Sequence, residues 1–219
     1  MENNETQTNM RILVIGAYGG IGKNVVEIAL KKGHHITALV RNPAKLTITH
    51  PNLKVVKGDI MQLATFEKYV ENKDAVISAI GGKMNEPTNL FSAGNMNLLN
   101  AMKKATVNRA FFISASAVEI SPVQSFMVRF ITKYILQKLL GWGYADQRVM
   151  EKIVKESGIN WTIMRPPRLT NEPATGNYRF AINSFLKKCL SISRADVAGF
   201  MISNVNNKET YKAIVEISY

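Results

Sequence analysis

Apolar residues occur along this chain in short continuous runs, separated by longer segments in which they recur every three or four positions. The runs occupy 12–15, 35–40, 53–56, 75–79, 109–113 and 161–164. Strands that are covered on both faces, as in parallel sheets, have such nearly continuous runs, whereas a half-exposed strand alternates apolar and polar residues. The pattern therefore predicts buried, parallel strands at these positions.

The segments between the runs have the spacing of amphipathic helices. They are 20–32, 63–71, 89–105 and 144–157. Strands that alternate with crossover helices predict an α/β fold with a doubly wound, mostly parallel sheet of the Rossmann type. Further along, a strand at 178–182, a helix at 194–205 and a strand at 213–217 follow a turn-rich region. We expect the loops at 166–193 to form a small C-terminal substrate cap.

The chain contains no repeat and no turn-rich linker that would divide it. We therefore expect one domain at 10–219, preceded by a disordered polar tail at 1–9 that lacks the basic and apolar regions of a signal peptide. Cys189 is the only cysteine in the sequence, so an internal disulfide is excluded, and no Cys/His spacing suggests a metal site. These features predict a reducing, cytoplasmic setting.

The sequence is strongly basic. Its 28 Lys and Arg residues against 16 Asp and Glu give a net charge of +12. Such an excess attracts anions, and the candidates are nucleotide phosphates, nucleic acid and acidic lipid. No module that reads nucleic-acid bases accompanies the charge, so we expect no specific nucleic-acid partner.

A glycine-rich heptapeptide, GAYGGIG at 16–22, directly follows the first predicted strand and opens the first predicted helix. Gly16 allows a sharp turn, Gly19 lets the backbone approach a pyrophosphate, and Gly22 lets the helix pack closely. The helix N-terminus then presents free N–H groups to phosphate. A glycine-rich turn without a ligand is the alternative, but the strand before it and the helix after it favour dinucleotide binding.

The end of the second predicted strand indicates which dinucleotide is bound. The residue at this place normally faces the adenosine ribose, where an acidic side chain favours NAD. Here Arg41 holds the position and Lys45 follows about one helical turn later, so two cations can contact a 2′-phosphate. We predict that NADP(H) is preferred over NAD(H); a solvated basic loop is the alternative.

Three further strand ends are expected along the cofactor. Asp59 can accept a hydrogen bond from the adenine amino group, with Ile60 beside the ring, although Asp59 also suits the N-cap of the next helix. At 79–82 the chain offers bare backbone. At 114–116 serine hydroxyls would lie beside the nicotinamide, where Ser116 either donates to a carbonyl oxygen during hydride transfer or only caps the strand.

Together, these motifs resemble the atypical branch of the short-chain dehydrogenase/reductase superfamily. Met164-Arg-Pro-Pro, the Pro-Ala-Thr-Gly sequence at 173–176 and the Ile-Ser-Arg-Ala-Asp sequence at 192–196 also match its pattern. Within the superfamily the chain is similar to the biliverdin-IXβ reductase/flavin reductase group and to nitrogen-metabolite-repression regulators. The resemblance covers 10–219, except a segment after Val118.

The resemblance implies a set of cofactor contacts. The pyrophosphate would be held by Gly16, Tyr18, Gly19, Gly20, Ile21 and Gly22, the 2′-phosphate by Arg41 and Lys45, and the adenine by Asp59 and Ile60. The path to the nicotinamide would be lined by Ala79, Ile80, Gly81, Ser114, Ala115, Ser116, Pro167, Arg168 and Leu169. In the flavin reductases the hydride passes from NADPH to a stacked ring without a covalent intermediate.

The usual catalytic pair of the superfamily, Tyr-x-x-x-Lys, is missing from its aligned place. In that pair the lysine lowers the pKa of the tyrosine, which exchanges a proton with the substrate. The two places fall here on Gly143 and Gln147; Tyr144 is a one-residue substitute, whereas the YILQK sequence at 134–138 has the right spacing on an apolar segment. Ser116 and Tyr144 are therefore the candidate catalytic residues.

A basic insertion at 121–144 has no counterpart in the resemblance. It contains no acidic residue and carries Arg129, Lys133 and Lys138, and on a helix its basic and apolar residues separate into two sides. Its charges make it a poor membrane-spanning helix. A lid over the substrate, a subunit contact, a weak contact with an anionic membrane surface and packing on the sheet are all open, and we favour the lid.

Two functions follow from the sequence. The first is an NADPH-dependent oxidoreductase that passes hydride to a small, planar conjugated acceptor such as a flavin, a quinone or a tetrapyrrole. The alternative is a non-catalytic module that senses NADP(H) and binds a protein or membrane partner.

Overall fold

An eight-stranded sheet forms the centre of the protein. The computed structural model describes residues 9–219, so the tail predicted at 1–9 lies, except for Asn9, outside the described residues. The strands are β1 (Arg11–Ile15), β2 (His35–Val40), β3 (Leu53–Lys57), β4 (Ala75–Ser78), β5 (Arg109–Ile113), β6 (Asn160–Arg165), β7 (Arg168–Thr170), β8 (Arg179–Ile182), β9 (Ser191–Ser193) and β10 (Ala213–Ser218). Their order in the main sheet is β3-β2-β1-β4-β5-β6-β10-β8.

All neighbours in this sheet are parallel except β10 and β8, which are antiparallel at one edge. A second, two-stranded sheet pairs β7 with β9. The helices are α1 (Gly20–Lys31), α2 (Leu90–Lys104), α3 (Phe126–Ile131), α4 (Gln137–Leu139), α5 (Gly141–Glu156) and α6 (Arg194–Ser203), with a π-helical stretch at Thr132–Leu136 between α3 and α4. The predicted doubly wound α/β fold is confirmed.

Two apolar cores, one on each face of the sheet, explain the continuous apolar runs. In β1, Ile12 and Val14 belong to the core that contains α1 and α6, whereas Leu13 and Ile15 belong to the core that contains α2 and α5. Successive side chains of a strand point to opposite faces, so a strand between two cores needs an apolar residue at every position.

The prediction of a helix at 63–71 is wrong. The segment forms two separate 3₁₀ turns, Leu63–Thr65 and Glu67–Tyr69. The Thr65 hydroxyl accepts from the backbone N–H of Asp59 and donates to the carbonyl of Gln62, so it binds backbone groups across the turn. Such local side-chain bonds compete with a regular helix. The N-cap alternative for Asp59 falls with this helix, and its Oδ1 instead accepts from the Met61 N–H.

The region at 166–193 contributes three short strands instead of loops alone. The predicted strand at 178–182 is β8, whereas β7 and β9 were not predicted. Asp196 fastens this region, because its carboxylate accepts from the backbone N–H groups of Thr175 and Gly176 and from the hydroxyls of Ser193 and Tyr219. Burial would raise the pKa of Asp196, but these hydrogen bonds hold it below its ordinary value.

The order of the strands determines where a ligand can bind. The chain passes from β1 outward to β2 and β3 on one side, and continues through β4 and β5 on the other. The crevice outside the carboxyl ends of β1 and β4 is therefore the switch point, the place where open α/β sheets bind ligands.

Candidate functional site

A cavity of about 940 Å³ lies at this carboxyl edge. Its volume is at the upper end of the range of small-molecule sites. The predicted residues on its wall are Gly16, Tyr18, Gly19, Gly20, Ile21, Arg41, Lys45, Asp59, Ile60, Ala79, Ile80, Gly81, Ser114, Ala115, Tyr144, Pro167 and Leu169. The structure thus brings most of the predicted contacts, from seven separate parts of the chain, around one space.

The glycine-rich loop is a tight cradle. Gly16 has a φ of +76°, and a Cβ on it would lie 2.5 Å from the carbonyl oxygen of Ala79. A Cβ on Gly22 would overlap the carbonyl oxygen of Gly16, so Gly22 permits the close packing of α1 on the turn. Gly22 itself does not lie on the cavity wall, and its contact with the pyrophosphate stays a prediction.

The N-terminus of α1 is free to bind an anion. Its cap residue, Gly19, offers no side-chain hydrogen bond, and the first turn contains no acidic residue. Lys23 is the first residue whose N–H is bonded to a helix carbonyl, that of Gly19. The N–H groups of Gly20 and Ile21, both on the cavity wall, therefore bring their partial positive charge to the cavity, which fits a pyrophosphate.

Arg194 lies on the cavity wall but was not predicted from the sequence as a site residue. It is the first residue of α6, and its side chain lies so close to Gly20 that a Cβ there would overlap the arginine Cδ. The Nη1 atom donates to Asn171 Oδ1 at 2.8 Å and to the carbonyl of Leu169 at 3.4 Å. A cation from the C-terminal region therefore stands beside the N-terminus of α1, and strengthens the attraction for a phosphate.

The two cations predicted for the 2′-phosphate are also on the wall. Arg41 and Lys45 are both exposed, and neither forms an ion pair within residues 9–219. The Lys45 ammonium lies 5.6 Å from the ring centre of Tyr18. Asn42, which was not predicted, also lines the cavity and accepts from the Ala44 N–H, so it shapes the turn that carries Lys45.

Ser114 is the serine of 114–116 that reaches a buried charge network. Its hydroxyl donates to Glu151 Oε1 at 2.7 Å. Glu151 also accepts two bonds from Arg165, at 2.9 and 2.6 Å, and Arg165 donates a further bond to Glu119 at 2.8 Å. Burial would raise the pKa of Glu151, but the hydrogen bonds and charge of Arg165, with Ser114 and Lys155, keep it below its ordinary value.

This network determines what Ser114 can offer to a ligand. An ionised carboxylate only accepts hydrogen bonds, so the single hydroxyl proton of Ser114 is committed to Glu151. Toward the cavity Ser114 therefore presents oxygen lone pairs and can accept, but not donate. In this arrangement Ser114 does not donate to a substrate carbonyl.

Besides Gly22, two predicted positions do not lie on the cavity wall. Ser116 is absent from the wall because it begins a 3₁₀ turn, Ser116–Val118, where its N–H donates to the carbonyl of Pro166. Arg168 is exposed on β7, and since side chains alternate along a strand, its neighbour Leu169 faces the cavity instead. Neither residue lies on the wall of this cavity, and their contacts along the path to the nicotinamide, with the catalytic role of Ser116, stay predictions.

The structure gives a physical reason for the missing Tyr-Lys pair. Gly143 donates its N–H to the carbonyl of Met84 at 3.0 Å, and a Cβ on Gly143 would lie 2.8 Å from the Met84 Cα and overlap its sulfur. A tyrosine does not fit there. Tyr144 and Gln147 are buried on the cavity wall. Burial raises the pKa of Tyr144, so its phenol is neutral. The Oε1 atom of Gln147 has no hydrogen-bond partner within residues 9–219.

Apolar side chains complete this end of the cavity. They are Met84, Leu90, Phe91, Ile113 and Leu140. The position of Phe91 is fixed by Asp146, whose carboxylate accepts from the N–H of Phe91 at 2.8 Å and so caps α2 from a neighbouring helix. Sequence reasoning missed these residues, because they come from loops and helix ends with no motif of their own.

Comparisons with known proteins show the family to which the chain belongs. A sequence model described as NAD(P)H-binding matches residues 16–208. An uncharacterized chloroplastic protein of Arabidopsis thaliana, At2g34460, is 30% identical over 99% of this chain and 80% of its own length. A (4-alkanoyl-5-oxo-2,5-dihydrofuran-3-yl)methyl phosphate reductase of Streptomyces griseus is 28% identical over 71% of this chain but only 46% of its own length.

The fold is shared with solved structures. A short-chain dehydrogenase/reductase of Veillonella parvula in complex with NADP has a TM-score of 0.78 at 18% identity, over 97% of this chain and 95% of the other. The narrower likeness to biliverdin-IXβ and flavin reductases stays a prediction. With the family match extending from the glycine-rich loop to residue 208, the chain belongs to the NAD(P)H-binding family and has a Rossmann fold.

Proposed function

We propose that this protein is an NADPH-dependent reductase that passes hydride to a planar conjugated acceptor of the flavin, quinone or tetrapyrrole type. The observation that carries the proposal is the composition of the cavity beyond the glycine-rich loop. Apolar side chains and the neutral Tyr144 and Gln147 surround this end, and the proton of Ser114 is committed to Glu151. Such a wall suits a flat apolar ring better than an alcohol or a simple ketone.

The proton requirement supports the same class of acceptor. The cofactor supplies the hydride, and the protein contributes binding and orientation. When hydride adds to a conjugated ring, the negative charge is delocalised, so a strongly activated proton donor is not needed. A simple ketone would instead need a donor such as the Tyr-Lys pair, for which Gly143 leaves no room.

The preference for NADPH belongs to the proposal as well. Arg41 and Lys45 are exposed, lie on the cavity wall and are free of ion pairs within residues 9–219, so a 2′-phosphate has two cations to bind.

Among the relatives, the Streptomyces griseus protein supports a conjugated acceptor, because the substrate in its name is an unsaturated ring that carries oxo and alkanoyl groups. A cytoplasmic setting remains part of the proposal.

The test is a steady-state assay of the purified protein. NADPH oxidation would be followed with FMN, riboflavin, menadione, a short-chain ubiquinone and biliverdin, and with cyclohexanone and a secondary alcohol with NADP as controls. We expect turnover with at least one conjugated acceptor and none with the ketone or the alcohol. Turnover confined to the ketone or alcohol would contradict the proposal.

A second candidate, a non-catalytic NADP(H) sensor, is favoured by the absence of the Tyr-Lys pair. Calorimetry separates the two. NADPH binding together with no turnover across the whole panel would favour the sensor, whereas binding with turnover favours the reductase.

A further inference from the structure

An exposed apolar surface lies beside the cavity. It is formed by α3, the π-helical stretch and α4, in which no residue is buried, and by the start of α5. We name it the α3–α4 face. Its most exposed side chains are Phe126 (81%), Met127 (66%), Tyr134 (54%), Ile135 (51%), Leu139 (63%) and Trp142 (58%). These side chains are exposed and do not pack on the sheet, whereas Leu140 and Tyr144 of the same segment line the cavity, so the lid stays a prediction.

The face is an ordered surface. Phe126, Phe130 and Tyr134 are spaced four residues apart, and their ring centres are 6.4 and 4.8 Å from one another in turn. The opposite side of the segment is anchored, since Gln137 Nε2 donates to the carbonyl of Ala117 at 3.1 Å. Contiguous exposed apolar patches of this kind are uncommon in monomeric proteins and mark interaction sites.

The charges around the face identify the kind of partner. Arg129, Lys133 and Lys138 are exposed among the apolar side chains, and segment 121–144 contains no acidic residue. A second copy that used the same face would bring like charges together across a two-fold contact. An anionic lipid surface instead accepts the aromatic and aliphatic side chains in its acyl boundary and the cations at its phosphates.

From these observations we infer that the α3–α4 face docks on the surface of an anionic lipid bilayer. The protein lies on the membrane and does not cross it: within residues 9–219 no helix is long and apolar enough to span a bilayer. Leu140, next in the chain to the exposed Leu139, lies on the cavity wall. Docking therefore places an edge of the cavity close to the lipid.

Vesicle flotation tests the inference without any need for turnover. The probes are vesicles of phosphatidylcholine, alone or with roughly a third of phosphatidylglycerol, the latter chosen to carry a strong negative surface potential. We expect the full chain to float with the anionic vesicles, at least about tenfold more weakly with the neutral ones, and less as salt is added. Equal binding to both kinds of vesicle, or to neither, would overturn the inference.

Variants connect binding to the face. Phe126→Ser with Phe130→Ser removes exposed rings, and Arg129→Glu with Lys133→Glu reverses two charges; each pair should weaken flotation by about tenfold or more. The control is Lys208→Glu with Lys212→Glu, which changes the net charge equally. Both lysines are exposed and precede β10, at the amino end of the sheet, whereas the cavity lies at its carboxyl end. The control should float like the wild type.

Two outcomes would contradict docking through this face. If the control lost as much binding as the face variants, only the overall charge would matter. If sedimentation showed a dimer that Phe126→Ser with Phe130→Ser dissolved, and anionic vesicles did not compete with it, a second copy would be the occupant of the face.

Discussion

At the scale of a single side chain, the proposed preference for NADPH depends most on Arg41. Its guanidinium is exposed on the cavity wall at the end of β2 and forms no ion pair within residues 9–219. An arginine at this place can bind the 2′-phosphate of NADPH through charge-assisted hydrogen bonds. A carboxylate at the same place would repel that phosphate and would accept a hydrogen bond from the ribose hydroxyl of NADH.

Arg41→Asp should therefore weaken NADPH binding by about tenfold to a hundredfold, while NADH binding stays equal or improves. Calorimetry with each dinucleotide measures both constants. Lys57→Asp is the matched control, because Lys57 is exposed at the end of the neighbouring β3 but does not line the cavity. Equal losses for NADPH and NADH in Arg41→Asp would remove the assigned role.

Tyr144 differs in its surroundings from a tyrosine that transfers protons with the help of a lysine. Burial raises its pKa, so the phenol is neutral over the physiological range. With a conjugated acceptor, Tyr144→Phe should lower kcat by less than about tenfold and leave the pH profile between pH 6 and about pH 9 unchanged, because an activated general acid contributes roughly a hundredfold or more. Stopped assays across this range measure the profile. A hundredfold loss, or a missing limb in the profile, would restore a catalytic role to Tyr144.

At the scale of elements, Glu151 joins α5 to β5 and β6. Its carboxylate is buried and bonds to Ser114 and Arg165. The pKa of Glu151 in the folded protein lies below its ordinary value of 4.5, so its ionised form favours folding. This stabilisation is complete above that value and is lost as the pH falls through the folded pKa.

Glu151→Gln should lower the free energy of unfolding by about 3 kcal/mol at neutral pH, since it leaves the buried Arg165 without its main counter-charge. The gap between variant and wild type should begin to narrow below about pH 4.5, where Glu151 becomes protonated in the unfolded chain, and should narrow further as the pH falls through the lower pKa of the folded protein. Urea unfolding over this pH range measures it. Glu119→Gln, at a half-exposed partner of the same arginine, should cost under about 1 kcal/mol, and an equal cost for both would refute the special place of Glu151.

The contact between α5 and the loop after β4 depends on Gly143. A Cβ there would lie 2.8 Å from the Met84 Cα, a backbone atom that cannot turn aside as a side chain can. Gly143→Ala should therefore reduce the free energy of unfolding by about 1 to 3 kcal/mol. Gly141→Ala in the same helix, where no atom lies within 4 Å of the new Cβ, should be neutral or stabilising. Urea unfolding compares them; a loss in both would point to backbone flexibility and not to Met84.

For the whole molecule, the elements that could be predicted from the sequence are those determined by local rules. The run at 12–15 and the loop at 16–22 carry their strand, turn and helix signals within a few residues. The roles of Ser114 and Arg194 depend on Glu151 and Gly20, which are distant in the chain, and no local pattern contains such pairings. The prediction of a helix at 63–71 was wrong for a related reason. The apolar spacing of this segment is also compatible with the two 3₁₀ turns that it forms, and the hydroxyl of Thr65 stabilises them.

The cavity brings the glycine-rich loop at 16–22 together with α6 in the C-terminal region. Gly20 in α1 lies against Arg194 in α6, and Arg194 bonds to Asn171 beyond β7, so a phosphate at the start of α1 is within the field of the C-terminal region. NADPH should then slow amide hydrogen exchange at 16–23 and also at 168–171 and 194–197. At a concentration about a hundred times Kd it should also add about 2.7 kcal/mol to the free energy of unfolding. Mass spectrometry of exchange with and without NADPH measures the protection, with Arg194→Gln as the comparison. If wild-type protection were confined to 16–23, or if Arg194→Gln kept protection at 168–171 unchanged, the C-terminal region would not take part in cofactor binding.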